Sequence, residues 1–151
     1  MGLGEPWTPG EKGQRGNEDE LLATYFEQEG GLLFTEVNVA YLDEGGVQRR
    51  IDAVRVTEPP REDTGAYSYG SENRRTIWSF IENYTVELIE VHGWGFHLFG
   101  QLLGKAGIVR DELDPHDLRL IAIPTNRDVG FSDPPTAAIF EEYGIDVTVV
   151  E

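Results

Sequence analysis

Two stretches, RRIDAVRV (49–56) and TVELIEVH (85–92), constrain this chain more than any others, because laid antiparallel they fit one another in a single register. Side chains alternate between the two faces of a strand, so residues two apart look the same way. With facing numbers summing to 142, Val56 meets Val86 and Val54 meets Leu88 on one face, while Ala53 meets Ile89 and Ile51 meets Val91 on the other. Arg55 meets Glu87 as a cross-strand ion pair. One position does not fit. Asp52 stands against Glu90, two carboxylates that repel unless a cation lies between them. Hard divalent ions such as magnesium or manganese take carboxylate oxygens and keep several waters, so the misfit points to a metal site with Val91's carbonyl as a third oxygen.

The rest of the chain bounds what such a site can serve. At 151 residues the chain is about one domain with one core. No apolar run approaches the roughly 18 residues of a membrane span. The first residues, MGLGEPWTPGEKGQRG, lack the apolar centre of a signal peptide, so a soluble, cytoplasmic protein without a membrane partner is expected. With no cysteine, disulfides, thiolate nucleophiles and zinc-thiolate centres are excluded. There are 28 acidic residues against 12 basic ones, a net charge of −16, and Lys12 and Lys105 are the only lysines. An acidic, lysine-poor composition resembles that of halophilic proteins, in which molar salt shortens the Debye length to about 3 Å and net charge says little about polyanion binding. In dilute salt the same charge argues against nucleic acid.

Taken in order, residues 1–16 are rich in glycine, proline and charge and read as an irregular arm before one domain spanning 17–151. Asn17 can cap a helix with Glu20 three residues on, and Leu21, Leu22, Tyr25 and Phe26 form its apolar stripe before Gly30-Gly31. Residues 32–42 and 47–57 read as a hairpin turning at 43–46. Residues 58–76 form a long polar insertion, after which Ile77–Phe80 returns to the core as helix or strand. The strand 85–92 follows, turning through Gly93-Trp94-Gly95 into a helix with Phe99, Leu102, Leu103 and Ala106 buried and His97, Gln101 and Lys105 along another side. LRLIAI (118–123) reads as a strand buried on both faces. Ser132 or Asp133 caps a last helix opened by Pro134-Pro135 and stopped at Gly144, and IDVTVV ends the chain as a strand.

The order helix, three strands, helix, strand, helix, strand, with its placed acids, resembles the PD-(D/E)XK, or restriction-endonuclease-like, nuclease superfamily, and in style its archaeal Holliday-junction resolvases. The resemblance covers residues 16–151 through short motifs. It implies a three-layer α/β/α fold around a mixed sheet and a magnesium- or manganese-dependent DNA endonuclease. In GNEDE (16–20) Glu20 resembles the first-helix acid, Asp52 the second-strand aspartate and Glu90 the third-strand acid, and Gln101 resembles a glutamine several branches carry on the next helix. The family commonly dimerises, so a homodimer is part of what the resemblance implies. The departure is His92, which stands where the family has lysine.

The expected catalytic set is therefore Glu20, Asp52, Glu90 and His92, with Asp52, Glu90 and Val91 on the metal. A neutral imidazole at His92 accepts a proton near neutral pH, which is how it can stand in for lysine. Lys105 is another source of the missing cation, although it lies two turns past the start of its helix. Gln101, His97, Arg74 and Arg75 are candidates for touching substrate, and Arg61, Tyr67 and Tyr69 add phosphate-gripping and base-stacking groups to the insertion. Each has a plainer counterpart. Strand-end acids and helix-flank polar residues are often just solvated, and a capping-box glutamate needs no catalytic task. The alternative function is a nuclease-fold module that has lost catalysis and serves nucleic-acid or protein interaction; an acidic structural protein unrelated to nucleases is a third reading.

Overall fold

A computed structural model describes residues 2–10, 16–39, 50–125 and 134–150. Their elements are β1 (Glu5–Pro6), α1 (Gly16–Glu29), β2 (Leu32–Asn38), β3 (Arg50–Val56), β4 (Gly65–Ser68), α2 (Arg74–Asn83), β5 (Thr85–His92), α3 (Phe96–Glu112), β6 (Asp117–Pro124), α4 (Pro134–Glu142) and β7 (Ile145–Val147). All the strands join one mixed sheet in the order β1-β4-β2-β3-β5-β6-β7.

The sheet is built around β5, whose residues 86–91 are all buried. A strand buried on both faces must find apolar cover on each side. Val86 and Leu88 pack with Ile77, Phe80 and Ile81 of α2, Leu98, Leu102, Ala106 and Val109 of α3, and Phe140 of α4. Ile89 and Val91 pack on the other face with Leu21, Leu22 and Tyr25 of α1. The result is an α/β fold with helices on both sides of a mixed sheet.

β3 lies antiparallel beside β5 with Ala53 opposite Ile89, Val54 opposite Leu88, Arg55 opposite Glu87 and Val56 opposite Val86, the expected register over these four pairs. The expected Ile51–Val91 pair does not form: the ladder ends at Ala53, and Ile51 packs into the core under α2 and α3 while Val91 packs on the α1 face. β2 pairs antiparallel on the far side of β3, and β5, β6 and β7 run parallel through the crossover helices α3 and α4. The hairpin turn at 43–46 and the Ser132 or Asp133 cap lie outside the described residues.

Three stretches differ from expectation. Residues 58–76 are not an unstructured insertion: Gly65–Ser68 forms β4, parallel to β2, and the segment's end opens α2, which carries Ile77–Phe80 as helix. The 1–16 arm is not wholly irregular either, since Glu5 and Pro6 pair with Ser68 and Tyr67. Asn73 explains both. Its buried amide donates to Leu3 O (2.8 Å) and Ser68 O (2.9 Å) and accepts from the Gly70 N–H (2.9 Å), stitching arm, strand and helix together. On α3 the fully buried stripe is Leu98, Leu102, Ala106 and Val109, with Phe99 and Leu103 partly buried at its flank, so the helix is rotated slightly from the expected face.

Gly31 shows why α1 ends where it does. At φ 89° it is in the left-handed region, and a Cβ there would lie 2.5 Å from Val56 O. Only glycine lets the chain pass so close to β3 before turning into β2.

Candidate functional site

The regular ladder between β3 and β5 stops at Ala53 and Ile89, and at the next step the two acids replace it with side-chain bonds. The Asp52 N–H donates to Glu90 Oε2 (3.3 Å), and the Val91 N–H donates to Asp52 Oδ2 (2.7 Å). Each carboxyl is thus clasped by the backbone of the opposite strand. Carboxylates accept such bonds strongly, which fixes both groups against each other at the point where the strands part.

Glu36 continues the row. By the β2–β3 register it stands across from Asp52, between the pairs Thr35–Ala53 and Val37–Ile51. Among the described residues it is the one non-glycine residue at positive φ, 52°. On either side of it the core-facing positions change parity, from Leu32 and Phe34 to Val37 in β2 and Val39 just past its end, and from Val54 and Val56 to Ile51 in β3. A backbone held in a sparsely populated region costs about 1–3 kcal/mol and persists where the surroundings enforce it. Here it coincides with the parted strands.

Glu90 is 4 % exposed. Burial pushes its carboxyl up to about 8, the hydrogen bond and charge of Asp52 push the same way, and the neighbouring Lys105 draws it back. At neutral pH the pair therefore holds a proton between its two carboxyls. Lys105 Nζ is bonded to Glu90 Oε1, and the lysine side chain is only 13 % exposed. It arrives from α3, on the side-chain row that also carries His97 and Gln101. A lysine fifteen positions along the chain is thus the cation beside the acid pair, a contact that helical spacing hints at but cannot measure.

The remaining candidates fall into three places. His92 and His97 meet edge to face with ring centroids 4.7 Å apart, both exposed, where β5 hands over to α3. His92 Nδ1 accepts the N–H of Gly93 (2.6 Å). Gln101 is half-buried, one turn before Lys105. Glu20 is exposed on α1, the helix that covers the opposite face from α3, and its backbone carbonyl accepts from Thr24. The third place is the start of α2. Arg74 Nε donates to the Tyr69 hydroxyl (2.7 Å), and its guanidinium lies 5.8 Å from the ring centres of both Tyr69 and Trp78. Tyr69 N–H bonds Thr35 O (3.0 Å), which sets it level with Glu36 and Asp52, two strand spacings or about 10 Å along the row. Arg75 is exposed and lines a shallow cleft with Pro60, Asp63 and Thr76.

Among the described residues no three histidines, aspartates or glutamates converge as a metal cluster. The donor set is two carboxyls, each held by a backbone N–H of the opposite strand. Two hard oxygen ligands of this kind fit a divalent cation that keeps most of its shell as water, the mode in which magnesium is commonly held.

On the opposite face the same two strands carry a second buried cluster. Arg55 Nε and Nη2 donate to the two oxygens of Glu87 (2.8 and 3.1 Å), Arg55 Nη1 to Gly30 O (2.9 Å), and the Tyr25 hydroxyl to Glu87 Oε1 (2.7 Å). Burial and the Glu87 bond push the Tyr25 phenol above its ordinary range. Every strong group here has a partner, so this cluster reads as architecture.

No family model, curated protein or solved structure matches this chain, so the site stands on its own geometry.

Proposed function

We propose that the chain is a metal-dependent DNA endonuclease of resolvase-like type, a phosphodiester hydrolase on a restriction-endonuclease-like α/β/α frame, with Asp52 and Glu90 holding a magnesium or manganese ion. The observation that carries the reading is the pair of clasped carboxyls where β3 and β5 part, one of them buried. The order of elements supports it. With β1, β4 and α2 set aside, the chain runs helix, three strands, helix, strand, helix, strand.

In this reading Asp52 and Glu90 are the ligands, and the Val91 N–H keeps the Asp52 carboxylate aimed between the strands. When bound, the ion supplies positive charge where charge gathers on a phosphate under attack. Arg74, backed by Tyr69 and Trp78, grips a neighbouring phosphate of the same strand, and the aromatic rings offer faces on which a base can stack. His97 and Gln101 flank the path over α3. Asp52→Ala is expected to abolish magnesium-dependent cleavage of DNA in molar salt; cleavage at the wild-type rate would remove the proposal.

One observation favours a second reading, a nuclease-fold module without catalysis that serves nucleic-acid or protein interaction. Lys105 and the shared proton already neutralise the acid pair, so the arrangement is stable with no metal. Cleavage by the wild type that stops when magnesium is chelated would dismiss it.

A further inference from the structure

From the placement of Lys105 beside Glu90 and Asp52, we infer that the lysine of α3, and not the strand residue His92, is the catalytic cation that faces the phosphate being cut. This rests on the hydrolase reading above and names a residue within it.

The geometry is specific. Lys105 Nζ bonds the Glu90 oxygen Oε1, while Asp52 N–H occupies the other, Oε2, so the ammonium and the fork between the strands address the same carboxyl from two sides. A phosphate seated on the acid pair would lie within reach of a side chain that ends there. His92 is placed differently. It is exposed, and its Nδ1 is taken up by the Gly93 N–H. Its edge-to-face contact with His97 turns it towards the start of α3.

The chemistry asked of Lys105 is electrostatic. Water adds to phosphorus, the bond from phosphorus to the leaving oxygen breaks, the water's proton passes to solvent and the leaving oxygen takes one from solvent. Lys105 stays an ammonium throughout, orienting the attacking water and offsetting the charge that builds on the phosphoryl oxygens. A compact ammonium on a flexible stem can leave Glu90 and follow that charge.

The test uses the full chain in molar salt, with manganese binding followed by electron paramagnetic resonance and cleavage followed on fluorescently labelled branched and linear DNA. Lys105→Ala and Lys105→Met are expected to bind manganese within about threefold of wild type and to cut roughly 100-fold more slowly, the loss usual when a single charge-stabilising donor is removed. Methylammonium should restore part of the rate to Lys105→Ala, a rescue that a merely structural lysine would not allow. His92→Ala is expected to lose less of the rate than Lys105→Ala. Matching thermal melts establish that each variant is folded, and Lys105→Arg serves in place of any that is not, with a smaller loss expected. A Lys105→Met enzyme that cuts at the wild-type rate, or a His92→Ala enzyme that carries the loss instead, overturns this inference alone. A wild type that binds manganese and leaves every DNA intact overturns both it and the hydrolase reading.

Discussion

Glu87 receives two hydrogen bonds from Arg55 across β3 and β5, only three residues before Glu90 accepts the backbone N–H of Asp52 from the same neighbouring strand. One register therefore places a matched charge pair on the α1 face and a mismatched acid pair on the α3 face. The first is closed by its partners. The second is closed by Lys105 and by the backbone of the facing strand.

Because Arg55 and Glu87 are both buried, removing one charge leaves the other without compensation, which costs about 3–5 kcal/mol. Arg55→Met and Glu87→Gln are each expected to lower stability by about that much in denaturant unfolding, while the double change to Arg55→Met with Glu87→Leu recovers most of it. A single variant within about 0.5 kcal/mol of wild type would show the pair to be dispensable.

Glu90 makes stability depend on pH in a definite direction. Its carboxyl is pushed from an ordinary 4.5 to about 8 on folding, so between those values the folded chain holds a proton that the unfolded chain releases. This contribution is fully present below pH 4.5 and is lost as pH rises through about 8. Glu90→Gln, which mimics the protonated form, should match wild type near pH 5 and be the more stable of the two above pH 8. Unfolding free energies measured at several pH values in constant salt check this; a wild-type minus variant difference that stays flat would refute it.

Asn73 is fully buried and ties Leu3, Ser68 and Gly70 to the start of α2. Asn73→Ala leaves buried backbone groups without partners and is expected to cost about 2–4 kcal/mol. The loss should be local in character. Amide hydrogen exchange is expected to quicken first at residues 3–7 and 66–70, while β3 and β5 keep their protection.

Much of the fold was legible because local periodicity carries it. The alternation in 49–56 and 85–92 sets which residues face each other, and a slip of one place would have turned Val54 and Val56 out of the core. Gly30-Gly31 and Gly144 end helices where their positive φ demands glycine. β4 was not legible. Its four residues, GAYS, are half-buried at most, and what makes them a strand is the free edge of β2 beside them. Backbone pairing of that kind leaves little mark on side chains.

Alternation in the two strands was enough to bring Asp52 and Glu90 to the same level, since the four pairs from Ala53–Ile89 to Val56–Val86 set the register up to the step before them. Which cation answers them follows from packing. His92 is the nearer in sequence, yet it stands exposed at the end of β5, while Lys105 is delivered by the way α3 lies across the sheet. Helical spacing says which residues share a face, but how far a helix is rotated and how deep it sits follow from the fit of Leu98, Leu102, Ala106 and Val109 into the core beneath it. That fit is a property of the packed molecule, and it is what carries one lysine to the buried acid.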